Sequence, residues 1–142
     1  MLKNFKMVLT VIGISLFTVA ITPNVAEAEF TPLCSDITLA QDERFLSADC
    51  NPDEDEDGEW KETYIDLSKI IERDRNGRLR WKWNGDYTRY CDVSLIHDYQ
   101  RNHTILKGRC DVPNIGRQVN SQLDLDERII LLRGGLIYVS PG

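Results

Sequence analysis

Between Gly77 and Trp83 the chain alternates strictly, with Leu79, Trp81 and Trp83 separated by Arg80 and Lys82. A period of two marks a strand that buries one face. Asn76-Gly77 immediately before it is a strong hairpin-turn signal. A shorter version follows 57 positions later as Gly134-Gly135-Leu136-Ile137-Tyr138, where the two glycines tolerate positive φ and predict the matching turn. Phe30 and Tyr87 each stand four residues before a cysteine, and Phe45-Leu46 and Ile105-Leu106 stand five and four before another. These segments read as short strands returning on each other. Helix signals are weak: Ser68-Lys69-Ile70-Ile71 and Asp126-Glu127-Arg128-Ile129 each predict one turn, capped by Ser68 and Asp126. The pattern as a whole predicts a mainly β chain.

The spacing is that of a duplication. Cys34 and Cys91 lie 57 positions apart, and Ile65-Asp66-Leu67 returns as Leu123-Asp124-Leu125 at 58. Two tandem copies, about 30–83 and 86–140, build one domain over 29–142. Four cysteines allow three pairings. Only pairing within each copy gives both copies the same covalent structure, so Cys34–Cys50 and Cys91–Cys110 are the expected disulfides. Each closes a loop whose chain-entropy contribution is ~3 kcal/mol. A zinc site, the rival use of four cysteines, lacks the close Cys-x-x-Cys spacing, and no metal or other cofactor is expected.

Residues 1–28 do not belong to the fold. Lys3 and Lys6 precede a nearly continuous apolar run from Met7 to Ile21, and Pro23 and Ala26-Glu27-Ala28 follow. Charged, apolar and small-x-small segments in that order form a secretory signal; the apolar run is shorter than the ~20 residues of a spanning helix. Cleavage after Ala28 predicts a secreted or periplasmic protein with no membrane segment left, a setting that permits disulfides. Loss of Lys3, Lys6 and Glu27 takes the 17 basic and 23 acidic residues to 15 and 22, a formal net charge of −7 in place of −6. That sign argues against nucleic acid and anionic membrane surfaces as partners.

Cys34 and Cys50, then Asp57-Gly58-Glu59-Trp60, Ile65-Asp66-Leu67 with Ile71, and Asn76-Gly77-Arg78-Leu79-Arg80-Trp81 together resemble the cyanovirin-N homology family. The resemblance spans the whole mature chain in two copies. It implies a pseudo-symmetric, intertwined β fold, in which each half takes a three-stranded sheet from one copy and a hairpin from the other. It also implies a lectin that binds α1,2-linked mannose without metal at shallow sites toward the two ends, as a monomer or a domain-swapped dimer. Sugar hydroxyls come in pairs and call for forked or planar groups. Each neutral hydrogen bond nets only ~0.5–1.5 kcal/mol, while two sites on one rigid chain can gain ~10²–10⁴ in avidity.

Carried over by position, the family's contacts place Glu72, Asn84, Asp86, Arg89 and Asp111 at the mid-chain site, and Asn51 and Asp53 at the terminal one. Much has changed at both. Arg89-Tyr90 replaces a Glu-Thr pair, Asp111-Val112-Pro113 a Lys-Thr-Arg run, and Lys82-Trp83-Asn84-Gly85-Asp86 is a linker longer by one residue and without proline. At the terminal site Pro32-Leu33 replaces a Gln-Thr pair, and Leu131-Leu132-Arg133-Gly134 a polar turn. One working glycan site, the one that includes Glu72, is the expectation; a scaffold kept for protein interaction is the alternative. No carboxylate pair is singled out for glycosidase chemistry, so the chain reads as a binding protein and not an enzyme.

Other candidates are weaker. Asp53, Asp55, Asp57 and Gly58 open like a calcium loop, but Tyr64 stands where the bidentate glutamate belongs; the run reads as a solvated loop. His97 and His103, with Asp98 between, read as loop residues. Asn102-His103-Thr104 fits a glycosylation sequon. Trp81 is expected in the core, and Trp83 on the surface.

Overall fold

A computed structural model describes residues 29–52 and 58–141. The signal segment and Asp53, with the rest of the acidic run up to Asp57, lie outside them. Among the described residues no helix is long and apolar enough to cross a membrane. The chain is mainly β, as the pattern predicts. Strands β1 (Cys34–Ala40), β2 (Phe45–Cys50) and β3 (Lys61–Asp66) form one antiparallel sheet, and β4 (Ile71–Arg73) with β5 (Leu79–Trp81) forms a hairpin. The second copy repeats this. Strands β6 (Cys91–Asp98), β7 (His103–Val112) and β8 (Arg117–Asp124) make a sheet, and β9 (Ile129–Leu132) with β10 (Gly135–Tyr138) makes a hairpin. Both disulfides pair as expected, joining residues directly opposite in register, with Cα–Cα separations of 4.0 Å.

The hairpins exchange partners, as the resemblance implies. The Leu79 amide of the first copy donates to Ser121 Oγ of the second copy's sheet at 3.0 Å, and the Leu136 amide of the second donates to Thr63 Oγ1 of the first at 3.1 Å. Leu79 and Leu136 are equivalent positions, as are Thr63 and Ser121, so the duplication makes the same cross-copy bond twice. The core has the same origin. Among the described residues, the ten largest fully buried side chains are five equivalent pairs: Phe30 and Tyr87, Leu46 and Leu106, Cys50 and Cys110, Leu67 and Leu125, Ile71 and Ile129. Burying both members of each pair removes apolar area from water at about 25 cal/mol per Å², and it explains why these positions keep their apolar character while surface positions diverge.

Both predicted hairpin turns exist, but neither is built as the sequence suggests. In the first copy Arg73 opposes Leu79, Gly77 N–H donates to the Asp74 carbonyl, and only Gly77 has positive φ (80°). This is a three-residue loop closed by a left-handed glycine, not a two-residue turn on Asn76-Gly77. The Asp74 side chain, accepting from the Asn76 and Arg78 amides, organises it. In the second copy Leu132 opposes Gly135 directly, so the turn is Arg133-Gly134 rather than Gly134-Gly135, with φ of 54° and 82°. One turn residue fewer is why the repeat offset falls from 58 to 57 between the two ends of the hairpin. Arg133 occupies a left-handed position that favours glycine or asparagine. Arg133→Gly is therefore expected to raise stability by about 0.5–1 kcal/mol, read as a higher denaturant midpoint at unchanged m-value.

The two helical turns also begin earlier than predicted. They are 3-10 turns over Leu67–Lys69 and Leu125–Glu127, capped by Asp66 and Asp124, whose side chains accept from the Ser68 and Asp126 amides. Ile71 and Ile129 already belong to strands. Phe30 and Tyr87 are core anchors of two further 3-10 turns, Thr31–Leu33 and Tyr87–Arg89, and not strand residues. His97 and His103 are not loop residues either: they pair with Thr104 and Asp98 in β6 and β7. The polar stretch Asp98–Asn102 hid this strand end, because its hydrogen bonding is local, Asp98 accepting from the Gln100 and Arg101 amides.

Candidate functional site

Hairpin β4–β5, the linker and the Tyr87–Arg89 turn enclose a shallow cleft of about 420 Å³, lined by Glu72, Arg73, Asn84, Gly85, Asp86 and Arg89, with Tyr90 beside them. Its floor is set by a backbone contact. A β-carbon added at Gly85 would lie 2.6 Å from Glu72 Cβ and 2.7 Å from the Glu72 nitrogen, so only glycine lets the linker approach β4 this closely. The linker is pinned there by the Asn84 amide donating to the Lys69 carbonyl at 2.7 Å, and Asn84 takes a positive φ of 58°.

The side chains around this floor are mutually held. Glu72, with 18% of its side chain exposed, is ion-paired by Arg80 Nε, with Lys82 Nζ 4.0 Å away. Asp86 caps its turn by accepting from the Thr88 amide and hydroxyl, and its other oxygen lies 3.5 Å from Arg89 Nε. The Arg73 guanidinium sits 3.8 Å over the Tyr90 ring and donates from Nη1 to the Asp111 carbonyl at 3.0 Å. Planar guanidinium, carboxylate and amide groups thus converge on an open cleft, the arrangement that paired hydroxyls need.

Of the residues singled out in the sequence, Glu72, Asn84, Asp86 and Arg89 come together here. Asp111 does not line the cleft. Its carbonyl supports Arg73, its side chain accepts from Gln118 Nε2, and its amide donates to the Tyr90 carbonyl. Asn51, placed at the terminal site by the sequence, is buried (3% exposed), and its side chain packs against Gly58. Asp53 lies outside the described residues. Tyr64, the twelfth position of the calcium-loop pattern, is in mid-strand opposite Ser47. Arg73 lines the cleft without being marked in the sequence, and Gly85 and Tyr90, noted there only as part of the linker and of a replaced pair, line it as well. The Arg73–Tyr90 stack joins positions 17 apart on different elements, which no local pattern reports.

Four of the cleft's positions have apolar residues at their pseudo-symmetric counterparts. Glu72 and Arg73 correspond to Ile130 and Leu131, and Arg89 and Tyr90 to Pro32 and Leu33; Ile130, Leu131 and Leu33 are buried. At those three positions the equivalent side chains are part of the core, while Pro32 and Glu29, the counterpart of Asp86, are exposed.

Trp81 and its counterpart Tyr138 stack on each other at 5.5 Å, both partly buried against the core. Trp83 stands edge-on to Tyr138 at 5.0 Å and is 58% exposed, on the surface as expected.

A second polar cluster fastens the N-terminal segment to the second copy. Asp126 accepts from the Thr31 amide (3.0 Å), the Thr31 hydroxyl (2.6 Å) and the Thr104 amide (2.8 Å), all buried. His103 lies between Asp124 (Nδ1, 2.7 Å) and Glu29 (Nε2, 2.7 Å), and Arg101 Nη1 is 3.2 Å from Asp124. His103, Asp124 and Asp126 place ligand-type atoms within 4.8 Å of one another, but hydrogen bonds inside the network already occupy them. Burial pushes the His103 imidazole down, yet Asp124 and Glu29 outweigh it and hold its pKa above 6.5. Burial likewise pushes the Asp126 carboxyl above 3.8, against the opposing hydrogen bonds from Thr31 and Thr104. Both groups bind protons more tightly in the folded state, so their stabilisation is complete below the unfolded pKa and is lost as pH rises through the folded one. Unfolding midpoints are expected to fall as pH rises above about 6.5, and His103→Gln to flatten that dependence.

The CVNH domain family matches residues 30–136. No curated protein matches. Among solved structures, the GzCVNH protein of Gibberella zeae is 24% identical with a TM-score of 0.64, covering 78% of this chain and 97% of its own. Microvirin, solved as a mannobiose complex, is 26% identical with a TM-score of 0.64, covering 78% and 98%. A MoCVNH3 variant, solved with an N-acetylglucosamine tetramer, is 20% identical with a TM-score of 0.63, covering 78% and 97%. With the family match covering most of the sequence and the exchanged hairpins in place, the chain belongs to the CVNH domain family.

Proposed function

We propose that this is an exported carbohydrate-binding protein that works without metal through one site, the Glu72–Arg89 cleft. The observation that carries this reading is the asymmetry between equivalent positions. Glu72, Arg73, Arg89 and Tyr90 line the open cleft, whereas Ile130, Leu131 and Leu33 at the equivalent positions are buried. The mannobiose and N-acetylglucosamine complexes of the two relatives support glycan as the ligand class. Binding is by hydrogen bonds and ring contact, and the reading involves no catalytic step. The N-terminal segment, with its signal pattern, supports export.

The test is a glycan array with the oxidised mature chain. Saturable binding to at least one glycan is expected, and Glu72→Ala is expected to weaken it about tenfold or more, the loss of a charge-assisted hydrogen bond being ~1.5–3 kcal/mol. A second reading, a protein-interaction module on the same scaffold, draws on the exposed Tyr64 (67%) and Trp60 (52%). Flat array signals from a folded protein would favour it.

A further inference from the structure

The hairpin that walls the cleft is the cationic part of an acidic chain. From Ile71 to Lys82 it carries Arg73, Arg75, Arg78, Arg80 and Lys82 against only Glu72 and Asp74, in a sequence of net charge −6. Inside the cleft the two carboxylates are already matched, Glu72 by Arg80 and Lys82 and Asp86 by the Thr88 turn and Arg89. Arg73 and Arg89, the two arginines that line the cleft, are not fully matched in return. Arg73 is oriented by the Tyr90 ring and by a neutral carbonyl, and among the described residues it has no carboxylate partner. Arg89 leaves 74% of its side chain exposed and shares a single 3.5 Å contact with Asp86.

We propose that the cleft selects saccharides that carry an anionic group, a carboxylate or a sulfate, held by Arg73 and Arg89; this rests on the carbohydrate-binding reading above. A guanidinium fork matches the two oxygens of either group. Stacking on Tyr90 fixes the Arg73 plane beforehand, so less side-chain freedom is lost on binding. Glu72 and Asn84 are then left to accept from and donate to the neighbouring hydroxyls. The acidic remainder of the chain repels polyanions in general, which confines attraction to this wall.

The experiment is calorimetric titration of the mature chain with five probes: mannobiose, tetragalacturonate, its methyl ester, a heparin-type sulfated tetrasaccharide, and a short single-stranded oligonucleotide. Tetragalacturonate and the sulfated probe are each expected to bind about tenfold or more tighter than the uncharged ester, and both to weaken at high salt. Arg73→Gln is expected to abolish the preference for the acid over the ester. Should that variant fail to fold, Arg89→Gln, on an exposed side chain, reads the same loss. Equal binding of acid, ester and mannobiose overturns the anionic selectivity and leaves carbohydrate binding standing. Silence toward every saccharide overturns both. Oligonucleotide binding as tight as that of the acidic sugars overturns saccharide selection in favour of simple polyanion capture.

Discussion

Gly85→Ala is expected to cost about 3 kcal/mol or more and to abolish ligand binding at the cleft. The added methyl would meet the Glu72 backbone nitrogen and the Ile71 carbonyl carbon at 2.7 Å, and Glu72 Cβ at 2.6 Å. These are backbone and near-backbone atoms, so no rotamer change relieves the clash; the linker must lift away from β4. That movement breaks the Asn84–Lys69 hydrogen bond and separates Asn84 and Asp86 from Glu72. Glycine at this position is required by contact and not by φ, since Gly85 has no positive φ. For a domain of ordinary stability, ~5–15 kcal/mol, the loss is a large fraction. Thermal unfolding should show a drop of about 10 °C or more. An unchanged midpoint with intact binding would mean that the linker does not sit on β4 as described.

Asp126→Ala is expected to be comparably severe, again about 3 kcal/mol or more, but without direct effect on the cleft. It strands the Thr31 and Thr104 amides and leaves the two hydroxyls only each other, at 2.8 Å, in a buried environment. Each buried group left unsatisfied costs ~1–3 kcal/mol. The cluster joins Thr31 to a residue 95 positions away, so its loss should free the N-terminal segment while the disulfides hold each sheet. Hydrogen exchange is expected to quicken first at the Thr31 and Thr104 amides. Denaturant unfolding gives the size of the loss, and a change below about 1 kcal/mol would show that water replaces the carboxylate adequately.

The sequence made the scaffold legible because the duplication is concentrated in what holds it together. Cysteines, the paired leucines and isoleucines, and the glycine-bearing hairpins all recur at nearly constant spacing, and the disulfide pairing followed from symmetry alone. Local detail was harder to see. Asp66 and Asp124, rather than Ser68 and Asp126, cap the 3-10 turns; serine and aspartate both suit a cap, and the Asx geometry that decides between them appears only in the folded chain. Asp126 is thereby free for a buried role that ties Thr31 of the other copy to Thr104 of its own. The turn at Arg133-Gly134 was displaced by one because two adjacent glycines each allow positive φ.

The cleft was legible in part. Glu72, Asn84, Asp86 and Arg89 are placed there by resemblance and do line it, whereas Asp111 does not. No local pattern marks the roles of Arg73 and Gly85, for opposite reasons. Arg73 gains its role from Tyr90 and Asp111, which only tertiary structure brings near, and Gly85 gains its role from an atom it lacks.

The central claim, a single glycan site in the Glu72–Arg89 cleft, is tested most directly by mapping backbone amide shifts during titration with the strongest binder from the glycan array. One saturating set of shifts is expected, confined to Glu72, Arg73, the Asn84–Asp86 linker, Arg89 and Tyr90, with one ligand per chain. Shifts centred on Leu33, Ile130 and Leu131, or two equal sites, would contradict it.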